Sequence, residues 1–361
     1  MPIIRLYNQR KYKIMLSPLI PNDKHPKWIV ILKILEIIGS RRARKIASKL
    51  KIRDIDNFIL AIEIIVLSSL FERDISSIVL EINQNLELQK QLKIDSAINA
   101  QDIYKFMFDL SYDKLYHFLS KIFLPERRKR DKKQRTIIVD TSPIKIDLNT
   151  WRNKHRIGKR NKEYKYSYYP SIGYFVGFKL ILAIDLDNNL IGFEIYKDCP
   201  NDSKLLIPFV ERLFNSRKIH SGDLILCDKG FTSKLNYQAL INRFYLVPII
   251  YPRKKTNLDQ LIRDLNPPLD AFSHDKYKLE KWLQIVNEFK NLIHDWASFK
   301  HYRLEIEVFF NIAKNTLGLD KIHQYTLVSV EKKVVPIVFL AAKLISLADS
   351  LNIRKKAIPS W

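Results

Sequence analysis

Two short apolar runs, Thr136-Ile137-Ile138-Val139 and Leu224-Ile225-Leu226-Cys227, each stop at an aspartate, Asp140 and Asp228. Brief runs rich in β-branched and aliphatic side chains read as strands buried on both faces, and such strands belong to sheets covered by helices. That requirement fits an α/β chain. It also places two carboxylates at strand ends, where a buried sheet meets solvent.

The surrounding pattern supports an α/β domain. Thr136–Ile144 reads as a β-run, and Phe178–Ile184 and Leu190–Tyr196 flank the polar turn Asp185-Leu186-Asp187-Asn188-Asn189. A helix is expected behind Asn201-Asp202-Ser203, then the strand 223–228, a helix over 233–243 and the strand Tyr245–Ile250. This order, followed later by a helix bearing Glu307, is the ribonuclease-H-like layout: a mixed five-stranded sheet with flanking helices. Residues 252–294, centred on Pro267-Pro268, do not continue the sheet and read as an insertion. Gly318 is expected to end the Glu307 helix, and an apolar helix over Val334–Leu351 to cover the sheet. The catalytic domain is therefore expected over 136–351, followed by a tail over 352–361.

Upstream the periodicity is helical. A basic, proline-punctuated arm covers 1–27, an all-helical region 28–124, and a basic linker 125–135. Asp54, Asp74 and Asn99 are expected helix caps. The helices within 42–67 resemble a helix-turn-helix that binds DNA; an all-helical packing module without base contacts is the alternative. The linker, with Arg127-Arg128-Lys129-Arg130, is either a tether or a strip that meets phosphates.

Composition narrows the partner. With 62 Lys and Arg against 38 Asp and Glu, the formal charge is +24, which points to a polyanion, nucleic acid before a membrane surface. Only Cys199 and Cys227 are present, so no disulfide framework or cysteine zinc site is expected. The N-terminus carries no signal-peptide core, which fits a reducing cytoplasm. The most apolar stretches, 58–71 and 334–348, are interrupted by Glu63 and by Pro336 and Lys343, short of the ~18 apolar residues of a membrane span. Gly158-Lys159 has no upstream glycine at phosphate-loop spacing, so NTP hydrolysis is unsupported.

Two strand-end aspartates and a helix glutamate supply the hard oxygen donors that hold paired Mg²⁺ ions for phosphodiester chemistry. Glu307 competes with Glu305. At about 100° per residue, Ile306, Phe310, Ala313 and Leu317 form an apolar stripe whose border carries Arg303, Glu307 and Lys314, while Glu305 points about 160° away from Glu307. Glu307 is the better metal ligand on that ground; a surface Arg303–Glu307 ion pair is the alternative. In Trp151–Tyr169, basic residues alternate with Trp151, Tyr164, Tyr166, Tyr168 and Tyr169, a mixture suited to phosphates and unpaired bases; a disordered basic loop is the alternative. Arg253-Lys254-Lys255 extends the basic surface. Asp185 is a weaker acidic candidate, and Cys227 is expected to pack in the core.

The spacing Arg303, Glu307, Lys314, together with Asp140-Thr141-Ser142 and Asp228-Lys229-Gly230-Phe231, resembles insertion-sequence transposases with an Asp-Asp-Glu triad, of the family-four type with its Tyr-Arg-Glu-Lys signature. One position departs: Lys300 stands where the signature has tyrosine, which places a hairpin route of DNA release in doubt. The resemblance implies that Asp140, Asp228 and Glu307 are catalytic and bind two Mg²⁺ or Mn²⁺ ions per active site. It further implies DNA contacts from Arg303 and Lys314, to which Lys229 and the segment residues Trp151, Arg152, Arg156, Arg160 and Lys165 are added. The expected partners are double-stranded DNA, as terminal inverted repeats and as target, and further copies of the chain in a dimer or larger synaptic complex. A prokaryotic cytoplasmic setting, at the nucleoid when DNA-bound, is expected. Two alternatives are a structure-selective nuclease on the same fold and an inactive, captured transposase acting as a DNA-binding protein.

Overall fold

The computed structural model describes residues 26–92, 94–124, 134–146, 166–169, 173–254, 256–265, 276–322, 326–351, 353–355 and 358. The chain divides into two compact units, one through Lys114 and one from Leu115 to Ser360.

The first unit contains α1 (Pro26–Ile38), α2 (Arg41–Lys49), α3 (Ile55–Leu70), α4 (Ile75–Gln84), α5 (Leu86–Leu92) and α6 (Ala100–Asp109). Side-chain oxygens of Asp54, Asp74 and Asn99 accept from the amides of Asn57, Ser77 and Gln101 at 3.0, 2.8 and 3.0 Å. Each cap satisfies an amide that the first helical turn leaves without a carbonyl. From Phe58 to Leu70 every side chain of α3 except Leu60 is buried. Besides Leu60, only the first turn, Ile55 to Asn57, is left accessible on this helix. The basic face lies instead on α2, where Ala43 and Ala47 are buried while Arg41, Arg42, Arg44 and Lys45 are exposed.

Helix α7 (Tyr112–Phe123) falls mostly in the second unit, ahead of the expected boundary at 124. The reason is aromatic packing: the Tyr116 ring meets Phe193 and Phe339 at centroid distances of 5.5 and 5.2 Å. The sheet of this unit holds β1 (Thr136–Lys145), β2 (Tyr166–Tyr169), β3 (Gly173–Asp185), β4 (Leu190–Lys197), β5 (Leu224–Cys227) and β6 (Val247–Ile250). It is six-stranded rather than five-stranded. The added strand is β2, which pairs antiparallel with the first residues of β3 from a segment in which the sequence suggested no strand. Its run Tyr166-Ser167-Tyr168-Tyr169 is short and aromatic, a composition that pairs well across strands but has too few residues to show a period.

Strand β1 lies between antiparallel β3 and parallel β5, and β6 continues parallel beyond β5. The register sets Val139 opposite Cys227, so the next residues, Asp140 and Asp228, emerge side by side on neighbouring strands. Asp140 does not end its strand: β1 runs on to Lys145, paired with β3.

Helices α8 (Asp202–Asn215) and α9 (Lys234–Phe244) pack together, and α9 packs on β6. The segment 252–294 adds no strand among its described residues; it supplies α10 (Leu258–Arg263) and α11 (Lys276–Ile293), with Phe289 of α11 against Tyr237 of α9 at 5.7 Å. After α12 (Trp296–Phe299) comes α13 (Arg303–Asn315), which packs on β1 and on α14 (Leu327–Ser350). Gly318 is left-handed at φ 71°, just beyond the α13 cap Thr316. Helix α14 starts earlier than Val334 because Thr326 and Ser329 form a capping box, and it carries Pro336 in its buried interior. Among the described residues, no helix is long and apolar enough to cross a membrane.

Strands β1 and β3 approach closely at Gly177, where an added Cβ would lie 2.1 Å from the Ile144 carbonyl oxygen. Gly177→Ala is expected to force the two strands apart and destabilise the protein by about 1–3 kcal/mol. A urea midpoint unchanged from wild type would refute this close approach.

Candidate active site

Three chain segments meet around one guanidinium. Asp140 projects from β1, Asp228 follows β5, and Glu307 and Arg303 occupy the first turns of α13. Arg303 reaches all three acids: Nη1 lies 3.2 Å from Asp228 Oδ1, and Nη2 lies 3.3 Å from Glu307 Oε1 and 3.7 Å from Asp140 Oδ2. Local backbone holds the aspartates in place. Asp140 Oδ1 accepts from the Thr141 amide at 2.8 Å, and Asp228 Oδ1 accepts from the Lys229 amide at 2.7 Å as it caps the turn Lys229–Phe231.

Electrostatics act strongly on Asp140. Burial raises its pKa to about 7, and the charges of Asp228 and Asp202 add to the rise, against the opposing pull of the Thr141 amide and Arg303. Burial also raises the Tyr169 phenol, with Asp140, Asp202 and Asp228 contributing, so this ring of β2 stands within the field of the acids. Cys227 is wholly buried, and its thiol is pushed far up by burial and by the same aspartates. A thiol so resistant to ionisation is core packing, as expected, and not a nucleophile.

The donor set is all carboxylate oxygen, which suits a hard divalent cation. Among the described residues no group of His, Cys, Asp and Glu closes directly on a common point. The Arg303 guanidinium instead links the carboxylates, so a metal ion would take over the neutralisation that the arginine provides. Arg303 Nε is buried without a hydrogen-bond partner, which leaves this side chain incompletely held where it is.

A family model described as "Transposase DDE domain" matches residues 131–342, a span that contains Asp140, Asp228, Glu307 and Arg303. The chain belongs to this family. It is a transposase, and divalent metal ions and DNA are the general requirements of such domains. No curated protein matches the chain.

The transposase places its other sequence candidates unevenly. Glu305 turns away from the acids and accepts from Asn188 Nδ2 at 2.7 Å, fastening α13 to the β3–β4 turn. Lys229 is exposed beside Asp228, and its carbonyl accepts from Arg253 Nε at 3.3 Å. Lys314 lies two turns along α13 from Glu307, 3.8 Å from Asp320, and is not brought to the carboxylates. Trp151, Arg152, Arg156, Arg160 and Lys165 lie outside the described residues. Lys300, at the signature tyrosine position, is exposed in the turn before α13 next to Phe299 and Tyr302. Asp185 accepts from Asp187 and Asn189 and organises its own turn.

Sequence reasoning treated Asn201-Asp202-Ser203 only as a helix start. Asn201 makes no side-chain cap, while Asp202 turns to Thr141 and Lys179. The available signal was Lys179, a lone cation within an apolar strand, which demands a carboxylate partner.

Asp140 holds its proton to about pH 7 when folded, against an ordinary value of 3.8. Between those values the folded state binds more protons than the unfolded, so this group lowers stability as pH rises. Asp140→Asn removes the effect. In EDTA, the wild-type melting temperature is expected to fall relative to Asp140→Asn between about pH 4 and pH 8, by several degrees. Parallel curves across that range would contradict the raised pKa.

Proposed function

We propose that this transposase binds the terminal inverted repeats of its element, cleaves at both ends and joins them to target DNA on a ribonuclease-H-like fold. Asp140, Asp228 and Glu307 hold two Mg²⁺ or Mn²⁺ ions in this reading. The observation that carries it is the gathering of these carboxylates from β1, β5 and α13 around one cation. The strand order β4-β3-β1-β5-β6, with β1 between an antiparallel and a parallel neighbour, supports the fold assignment. When bound, the ions activate a water or DNA 3′-hydroxyl nucleophile and stabilise the leaving oxyanion.

The chain's own groups divide the remaining work. Asp140, Asp228 and Glu307 would hold the ions as ionised carboxylates. Arg303, released from the carboxylates, turns to a backbone phosphate, where a guanidinium makes strong charge-assisted hydrogen bonds. Lys229 and Lys314 meet phosphates on either side, and Trp151, Arg152, Arg156, Arg160 and Lys165 grip the DNA end. The basic face of α2 contacts the repeats. Two ends must be held together for joining, so a homodimer or larger synaptic complex does the work. With Lys300 in place of the signature aromatic, strand transfer by the 3′-hydroxyl is favoured over a hairpin route.

Asp140→Asn, Asp228→Asn and Glu307→Gln are each expected to abolish Mg²⁺-dependent cleavage of labelled repeat ends while retaining DNA binding in EDTA. Glu305→Gln is expected to keep most of the activity. An inactive Glu305→Gln beside an active Glu307→Gln would reverse the assignment.

Alanine at Arg41 and Lys45 is expected to flatten the slope of log K against log salt by about 0.9 per lost phosphate contact. Gel shifts of the full chain across a salt series measure this. An unchanged slope would remove α2 from the DNA surface.

A further inference from the structure

Lys179 sits in the apolar strand β3 with only 6% of its surface exposed. Its Nζ donates to the Pro200 carbonyl at 2.7 Å and to Asp202 Oδ1 at 2.9 Å. The same carboxylate oxygen accepts from Thr141 Oγ1 at 2.9 Å, and Thr141 is the residue whose amide holds Asp140. The second oxygen, Oδ2, lies against Gly230: a Cβ there would stand 2.6 Å from it. Gly230 belongs to the turn capped by Asp228. One carboxylate therefore touches both the β1 segment bearing Asp140 and the turn bearing Asp228.

The scaffold fixes that carboxylate firmly. Buried Asn236 donates to the Ser203 carbonyl at 2.9 Å and to the Phe231 carbonyl at 2.8 Å, tying the start of α8 to the same turn. The loop into α8 holds two consecutive non-glycine residues at positive φ, Asp198 at 61° and Cys199 at 43°. Such backbone persists only where its surroundings determine it, and Ser167 Oγ donates to the Asp198 carbonyl at 2.9 Å. A buried ion pair is itself weak support for stability, since apolar residues of similar volume often serve as well. The placement of this pair beside two acids calls for another role.

We infer that Asp202, backed by Lys179, is a positioning residue that sets the separation of Asp140 and Asp228 and thereby tunes metal binding at the site. Asp202 is not a ligand here: its Oδ1 is taken by two donors and its Oδ2 faces the Gly230 backbone. This rests on the reading of Asp140, Asp228 and Glu307 as the cleaving centre. Hydrogen-bond partners of metal ligands typically change affinity or activity by about 10–100-fold when removed.

The test uses the full chain and three variants, Thr141→Val, Asp202→Asn and Gly230→Ala, with Asp140→Asn as control. Three quantities are read: the melting temperature in EDTA, its rise on titration with Mn²⁺ without DNA, and the Mn²⁺ dependence of cleavage. Thr141→Val keeps the backbone amide and the side-chain shape and removes only the hydroxyl link. It is expected to melt near wild type in EDTA and to need about 10-fold more Mn²⁺ for half-maximal stabilisation and cleavage. Asp202→Asn and Gly230→Ala are expected to raise the Mn²⁺ requirement further, toward about 100-fold. Wild-type Mn²⁺ titrations for all three variants would overturn the inference, as would losses that merely track a lower melting temperature in EDTA. If Asp140→Asn binds Mn²⁺ and cleaves like wild type, the triad reading itself fails. An inactive Asp140→Asn beside wild-type-like Thr141→Val and Asp202→Asn defeats the positioning role alone.

Discussion

Three carboxylates gathered at one end of a sheet repel one another strongly. Two like charges about 4 Å apart repel by on the order of 4 kcal/mol at an effective dielectric of 20, and each added acid raises the total. In this protein the repulsion is met in two ways. Arg303 lies within ion-pairing reach of all three acids, and the most buried of them, Asp140, holds its proton to about 7. The fold can thus keep a strongly anionic cluster assembled.

That arrangement depends on backbone register more than on any side chain. The parallel pairing of Val139 with Cys227 sets the two aspartates next to each other, and packing of α13 on β1 brings Arg303 and Glu307 over them. Glu305 secures the helix from its other side through Asn188 in the β3–β4 turn. A one-residue slip in β1 would turn Asp140 to the opposite face and break the site at once. The antiparallel ladder to β3 guards against that slip along the whole strand, from Ile137 to Lys145.

Much of this was legible in the sequence, and the exceptions have physical causes. Apolar runs ending in aspartates announced the central strands, and helical phase distinguished Glu307 from Glu305. Caps at Asp54, Asp74 and Asn99 were readable because a capping side chain acts on its own neighbours. Strand β2 was missed because its four residues are defined by a partner strand rather than by their own pattern. Burial of α3 on nearly all sides from Phe58 onward is a tertiary property with no local signature. Asp202 lay hidden for the same reason: its partners Thr141 and Lys179 are remote in sequence, and only folding makes them neighbours.

Arg303 and Glu307 share the first turns of a helix that comes late in the chain. During translation, therefore, the glutamate of the cluster and the guanidinium that pairs with it leave the ribosome together. A chain that stops anywhere before α13 already carries both aspartates yet lacks the third acid and the guanidinium. Premature termination or proteolysis ahead of that helix therefore leaves two like charges without the guanidinium that pairs with both.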